Sequence, residues 1–182
     1  LFPAAERCGT VRVADIGIEA RGTVARAVMM SLPPPDHLSH KYRRGVVAVV
    51  AGSMPGAAEL AARAAQRAGA GYVRLIGAGT PPSAPFALVR QAWGKGEALA
   101  DPRIGAVVIG PGLGQGERAS QRWAAAIASG RPMVVDADAL SLIDAPLAVP
   151  AILTPHAGEF ARLGGDTAAD KISATRALAA RF

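Results

Sequence analysis

The chain has 182 residues, 51% hydrophobic, 19% charged and 4% aromatic, and 41 of them are alanine; this excludes a disordered or low-complexity protein and suffices for a globular domain with an Ala, Val, Leu and Ile core. The formal charge of +6 arises from 17 Arg and 3 Lys against 14 acids, and the whole excess lies scattered through residues 1–100. Scattered charge with so few aromatic residues argues against nucleic acid as a partner and leaves room for a basic rim around an anionic small molecule.

In chain order, the opening Leu1-Phe2-Pro3 is neither an initiator methionine nor a signal peptide, so a piece of a longer protein is expected. Cys8 is the single cysteine, which excludes an intrachain disulfide and a thiolate metal cluster and fits a reducing, cytoplasmic setting. Val11-Arg12-Val13-Ala14 alternates like a short strand, and Leu32-Pro33-Pro34-Pro35 reads as an extended linker, placing a boundary near residues 33–39. From there a unit repeats: a short apolar run, a glycine-bearing turn, then a helical stretch. Val46–Val50 leads into Gly52-Ser53-Met54-Pro55-Gly56 and an Ala-rich helix over about residues 57–68, closed by Gly69-Ala70-Gly71.

Tyr72–Ile76 is the next predicted strand. Ala106–Ile109 ends in Gly110-Pro111-Gly112-Leu113-Gly114 before a helix over about residues 118–129. Met133–Val135 runs into Asp136-Ala137-Asp138, with a helix from near Ala139, and Ala151–Leu153 into Thr154-Pro155-His156-Ala157-Gly158-Glu159. Unbroken apolar strands separated by helices predict an α/β fold, a doubly wound, mainly parallel sheet with helices on both faces. No apolar stretch reaches the roughly 18 residues of a spanning helix, so no membrane partner is expected.

In such sheets ligands bind beyond the carboxyl ends of the strands, where every unusual motif here falls. The Gly52 turn enters a helix whose free N–H groups can hold an anion, though an ordinary strand-to-helix turn has the same composition. Neither a dinucleotide Gly-x-Gly-x-x-Gly fingerprint nor a Walker pattern is present. Three glycines in Gly110–Gly114 exceed what a plain turn requires and point to something approaching the backbone closely. Asp136 and Asp138, if extended, share one face and pair their carboxylates for Mg²⁺ or a ligand hydroxyl; Asp138 can equally cap the next helix. His156 stands at the same edge without a partner for zinc, and Glu159 reads either as a site acid or as a first-turn capping acid.

Taken together in order, His40-Lys41, Val46–Ser53 with Gly56-Ala57-Ala58, Ala68–Gly71, Val108–Gly114, Val135–Leu140 and Ile152–Glu159 resemble the ADP- or ATP-dependent NAD(P)H-hydrate dehydratases, a ribokinase-like family, over about 140 residues. The resemblance implies a lyase of nicotinamide nucleotide repair: ADP or ATP phosphorylates the C6 hydroxyl of hydrated NADH or NADPH, and loss of phosphate restores the double bond. It implies Ala57, Gly112, Gly114 and His156 as substrate-binding residues, and Asp136, Asp138 and Glu159 in the nucleotide and phosphate region. Mg²⁺ is the implied cofactor, no residue is assigned as catalytic or as metal ligand, and a homo-oligomer is expected. Residues 1–35 then read as the tail of an epimerase-like domain and a linker, and residues 36–182 as the N-terminal part of the dehydratase domain.

In the family a Lys-Gly phosphate loop and a Gly-Ser/Thr-Gly-Asp motif with the catalytic aspartate follow the last matched segment. The expectation is therefore a sheet incomplete at its C-terminus and a fragment inactive by itself. The alternatives are a ribokinase-like small-molecule kinase and a noncatalytic dinucleotide-binding module.

Overall fold

The computed structural model describes residues 34–78 and 87–182, together with residues 7, 9, 10, 12, 14, 16 and 17. Cys8, and Val11 and Val13 of the strand expected at residues 11–14, lie outside the described residues. The chain divides into two compact units, Leu1–Pro35 and Asp36–Phe182, and the architecture below is that of the second.

Six strands form one parallel sheet: β1 Val46–Val50, β2 Tyr72–Ile76, β3 Leu88–Gln91, β4 Ile104–Ile109, β5 Met133–Val135 and β6 Ala151–Leu153. Their order is β3-β2-β1-β4-β5-β6, with every neighbouring pair parallel. The chain builds outward from β1 in one direction through β2 and β3, then returns to the other side of β1 with β4. The reversal puts a topological switch point between β1 and β4, where the crevice at the carboxyl edge of an open α/β sheet opens.

Alternation along β1 assigns the two faces. Val46, Ala48 and Val50 pack into one apolar cluster, with Ile104, Val107 and Ile109 of β4 and with Ala119 and Ala126 of α2 (Glu117–Ala128). Val49 faces the other way, into a second cluster with Val73 and Leu75 of β2 and with Ala58 and Ala62 of α1 (Pro55–Arg67). Helices thus cover both faces, which is why the strands read as continuous apolar runs. Alanine on the inner side of each helix lets it lie close to the sheet, and burial of Val49, Leu75 and Ile109 contributes about 2 kcal/mol each. α1 starts with Pro55 at its first position and is braced on its exposed side by Glu59 and Arg63 one turn apart, at 2.6 Å.

Among the described residues, two 3₁₀ segments, Gly94–Leu99 and Ala137–Leu142, and two further helices, α3 Ala157–Arg162 and α4 Lys171–Ala179, accompany the sheet. Differences from the sequence reading are local. β4 begins at Ile104 rather than Ala106, and β3 and α4 were not anticipated. The stretch after β5 winds as 3₁₀ rather than α-helix, and the chain turns sharply at its first residue, Ala137, φ +46°. The His40-Lys41 pair lies at the amino ends of the strands, away from the motif-bearing edge; the Lys41 ammonium sits 5.0 and 5.2 Å from the ring centres of Tyr42 and Tyr72.

Candidate functional site

At the carboxyl edge the turn after β1 and the turn after β4 lie against each other. Ser53 N–H donates to the Leu113 carbonyl at 3.3 Å and Met54 N–H to the Gly112 carbonyl at 3.0 Å. The contact is closer than any side chain allows. A β-carbon on Gly52 would stand 2.2 Å from Leu113 Cα, and one on Gly112 2.2 Å from the Met54 carbonyl oxygen and 3.0 Å from the Ala57 methyl. One on Gly110 would meet the Asp136 carbonyl oxygen at 1.7 Å, and one on Gly114 the Ser53 hydroxyl at 2.3 Å. Gly112 and Gly114 also have φ of +66° and +81°, a region that L side chains seldom adopt.

The surplus of glycine thus has a concrete structural reason. What approaches these residues closely is the neighbouring loop, and the result is a smooth, small-residue floor at the switch point. Ala57, in the first turn of α1, and Gly112 face each other across that floor, with Gly114 beside Ser53. Three of the predicted substrate residues are therefore brought together.

The two aspartates are not paired. Asp136 is extended, but Ala137 reverses the chain, so the single face expected for the two carboxylates does not exist. Asp138 reaches toward β4, where its Oδ2 accepts from Gly114 N–H at 2.8 Å. Asp136 reaches toward β6, where its Oδ1 accepts from the Thr154 hydroxyl at 2.7 Å. Asp138 caps no helix, and Asp136, in the cap position, makes no capping bond with its side chain. Among the described residues no group of three His, Cys, Asp or Glu side chains converges on one point. One carboxylate is thus engaged toward β4 and the other toward β6.

His156 lies beyond β6, two strands from the β4 turn. It is the N-cap of α3: Nδ1 accepts from Gly158 and Glu159 N–H at 3.0 and 3.3 Å, while Glu159 Oε2 accepts from His156 N–H at 2.9 Å. This reciprocal capping box leaves the proton on Nε2, which faces Glu159 Oε1 at 3.3 Å. The imidazole side chain is 67% exposed, whereas Glu159 is 8% exposed. Glu159 thus orients the imidazole and holds the first turn of α3.

Arg122 enters this edge unannounced, because it sits inside α2 where no turn chemistry marks it. Its guanidinium donates to the Ala51 carbonyl at the end of β1 at 2.5 Å and lies 5.3 Å from the Trp93 ring centre. Burial, reinforced by the charge of Arg118, lowers its pKa from the ordinary guanidinium value. The arrangement as a whole offers a small-residue floor, a cation over an aromatic ring on one side and an exposed imidazole on the other. It suits an extended, anionic, ring-bearing ligand.

The family model for NAD(P)H-hydrate dehydratase matches residues 47–182. The bifunctional NAD(P)H-hydrate repair enzyme of Mycobacterium tuberculosis is 39% identical over 94% of this chain and 39% of its own length. Among solved structures, the ADP/ATP-dependent NAD(P)H-hydrate dehydratase of Bacillus subtilis, co-crystallised with ATP and Mg²⁺, superposes with a TM-score of 0.56 at 35% identity, covering 72% of this chain and 51% of that one. A ribokinase-like superfamily protein of Enterococcus faecalis, TM-score 0.70 at 21% identity over 81% of this chain and 58% of that one, shares the fold. The chain spans about two fifths of the length of the bifunctional relative and about half of the solved dehydratase.

Proposed function

The chain belongs to the NAD(P)H-hydrate dehydratase family, and from that premise we propose that its carboxyl-edge crevice receives hydrated NADH or NADPH for an ADP- or ATP-dependent dehydration. The observation that carries this reading is the seam between the Gly52 and Gly110–Gly114 turns at the switch point, which joins the carboxyl ends of β1 and β4 through small residues, Ala57 and Gly112 among them. In the proposed reaction the nucleotide's terminal phosphoryl group is transferred to the C6 hydroxyl. The C6–O bond then breaks with release of inorganic phosphate, a proton leaves the adjacent carbon, and the ring double bond is restored. Such chemistry depends on positioning and on charge placed around the phosphoryl group.

In this reading Ala57, Gly112, Gly114 and His156 border the dinucleotide, and Asp136 and Glu159 lie on the side of the transferring phosphoryl group. Residues 1–35 are the end of an epimerase-like domain and its linker. In support, the match to the bifunctional relative extends over 94% of the chain, beyond residues 47–182 of the dehydratase model. The 182 residues contain no Gly-Ser/Thr-Gly-Asp sequence, and we assign them the dinucleotide-binding part of the reaction rather than turnover on their own.

Calorimetric titration with NADPH, followed by incubation with hydrated NADPH, Mg²⁺ and ADP or ATP, tests both statements. Saturable NADPH binding without recovery of the reduced-nicotinamide absorbance is expected. No binding overturns the substrate assignment, recovered absorbance overturns the division of labour, and a stable phosphorylated product favours a small-molecule kinase.

A further inference from the structure

The Gly110–Gly114 turn is closed internally by Leu113 N–H donating to the Gly110 carbonyl at 3.0 Å. Its last amide, Gly114 N–H, finds its acceptor 24 residues away, on Asp138. Resting on the reading that this turn borders the dinucleotide, we propose that Asp138 is a positioning residue: it touches no substrate but sets the shape of the substrate-bordering turn through Gly114. Three features support this assignment.

First, the bond is well formed at 2.8 Å and ties the turn after β4 to the segment after β5, and Asp138 is only partly exposed. Second, the backbone that carries Asp138 is itself held. Ala139 and Leu140 beside it are buried, and Ser141 Oγ donates to the Asp138 carbonyl at 2.6 Å. The left-handed Ala137 that aims it toward β4 is the one described non-glycine residue with positive φ, a strained conformation retained where the surroundings impose it. Third, what Asp138 holds is in contact with the rest of the floor. Gly114 abuts Ser53, and Gly112 abuts Met54 and Ala57, so a shift of the turn moves the entry of α1. Since Gly114 N–H is already engaged, it is not a donor for a ligand phosphate.

The test uses the 182-residue chain and its D138N and D138A variants in Mg²⁺-free buffer. Two quantities are measured: hydrogen exchange of the backbone amides in residues 110–116, and NADPH affinity by calorimetry. An amide side chain keeps an acceptor oxygen at the right place, whereas alanine does not. In D138A, exchange at Gly114 accelerates and NADPH binding weakens, each about tenfold, while D138N stays within about threefold of wild type on both. Wild-type exchange and affinity in D138A overturn the proposal, as does a D138N as impaired as D138A, which would mark a direct role for the negative charge. If the wild-type chain fails to bind NADPH, the functional reading falls, and the exchange data alone decide whether Asp138 sets the turn. Should D138A not fold, Asp138→Ser, whose hydroxyl is too short to reach Gly114, replaces it.

Discussion

Gly52→Ala separates steric fit from backbone conformation, because a methyl at this position meets fixed atoms without any positive φ to complicate the outcome. The new β-carbon would stand 2.2 Å from both Leu113 Cα and the Leu113 carbonyl oxygen and 2.4 Å from the Gly112 oxygen. Ordinary contact needs about 3.5 Å, so one backbone must retreat by about 1.3 Å. Both neighbours are backbone, which no rotamer change relieves. The retreat breaks the two hydrogen bonds that join the turns, from Ser53 and Met54, at about 1 kcal/mol each, and adds an overpacking cost of about 1 to 2 kcal/mol. The sum is about 3 to 4 kcal/mol, or a fall in Tm of about 10 °C for a unit of this size.

Gly56→Ala is the internal control: four residues away in the first turn of α1, its β-carbon would meet nothing within 4 Å. It is expected to be neutral or to stabilise by about 0.5 kcal/mol. Thermal unfolding followed by circular dichroism measures both variants. A Gly52→Ala protein melting with wild type, or one indistinguishable from Gly56→Ala, refutes the account of the seam.

Two further outcomes follow from the local geometry. Glu159→Ala removes the acceptor for His156 N–H and one half of the α3 capping box, and is expected to cost about 1 to 2 kcal/mol in urea unfolding, with Glu159→Gln recovering most of it. Asp101 is held well below its usual value of 3.8, foremost by hydrogen bonds from the Arg103 side chain and backbone, which outweigh the opposing effect of burial, with the charges of Arg103 and Arg74 adding to them. Its folded pKa is depressed, so its stabilising contribution is complete above about pH 4 and drains away as pH falls toward the folded value. The stability difference between wild type and Asp101→Asn, measured by urea unfolding at about pH 6 and about pH 3, should therefore shrink at the lower pH.

Four strands were legible to the residue. Val46–Val50, Tyr72–Ile76, Met133–Val135 and Ala151–Leu153 are unbroken or nearly unbroken apolar runs closed by turn residues. β3 escaped because Leu88-Val-Arg-Gln is a short edge strand, and two of its four positions carry polar side chains. Arg74 of β2 bonds both Gln91 in that strand and Asp101, a tie that only pairing reveals. α4 carried a readable start, Asp170 accepting from Ser173 N–H, but only a weakly amphipathic body.

At the site, glycine content correctly marked the turns. Which turns meet depends on strand order, since β1 and β4 are neighbours in space and not in sequence. The divergence of Asp136 and Asp138 hinges on one backbone angle at Ala137, and alanine carries no advance notice of it. Arg122 was invisible for the opposite reason, being an unremarkable residue in mid-helix until Trp93 and the end of β1 close around it.

The adjacency of β1 and β4 also bears on when this surface comes into being. Val46 and Ile104 pair across the whole intervening β2 and β3 excursion, which lies on the other side of β1. Closing so long a loop is entropically costly, and contacts of that sequence separation slow folding. A half-assembled sheet containing β1, β2 and β3 would present the Gly52 turn with nothing opposite it. A ligand spanning both turns would bind the completed sheet in preference to that intermediate and draw the folding equilibrium toward it. Dinucleotide affinity is then a gauge of whether the two halves of the sheet have closed.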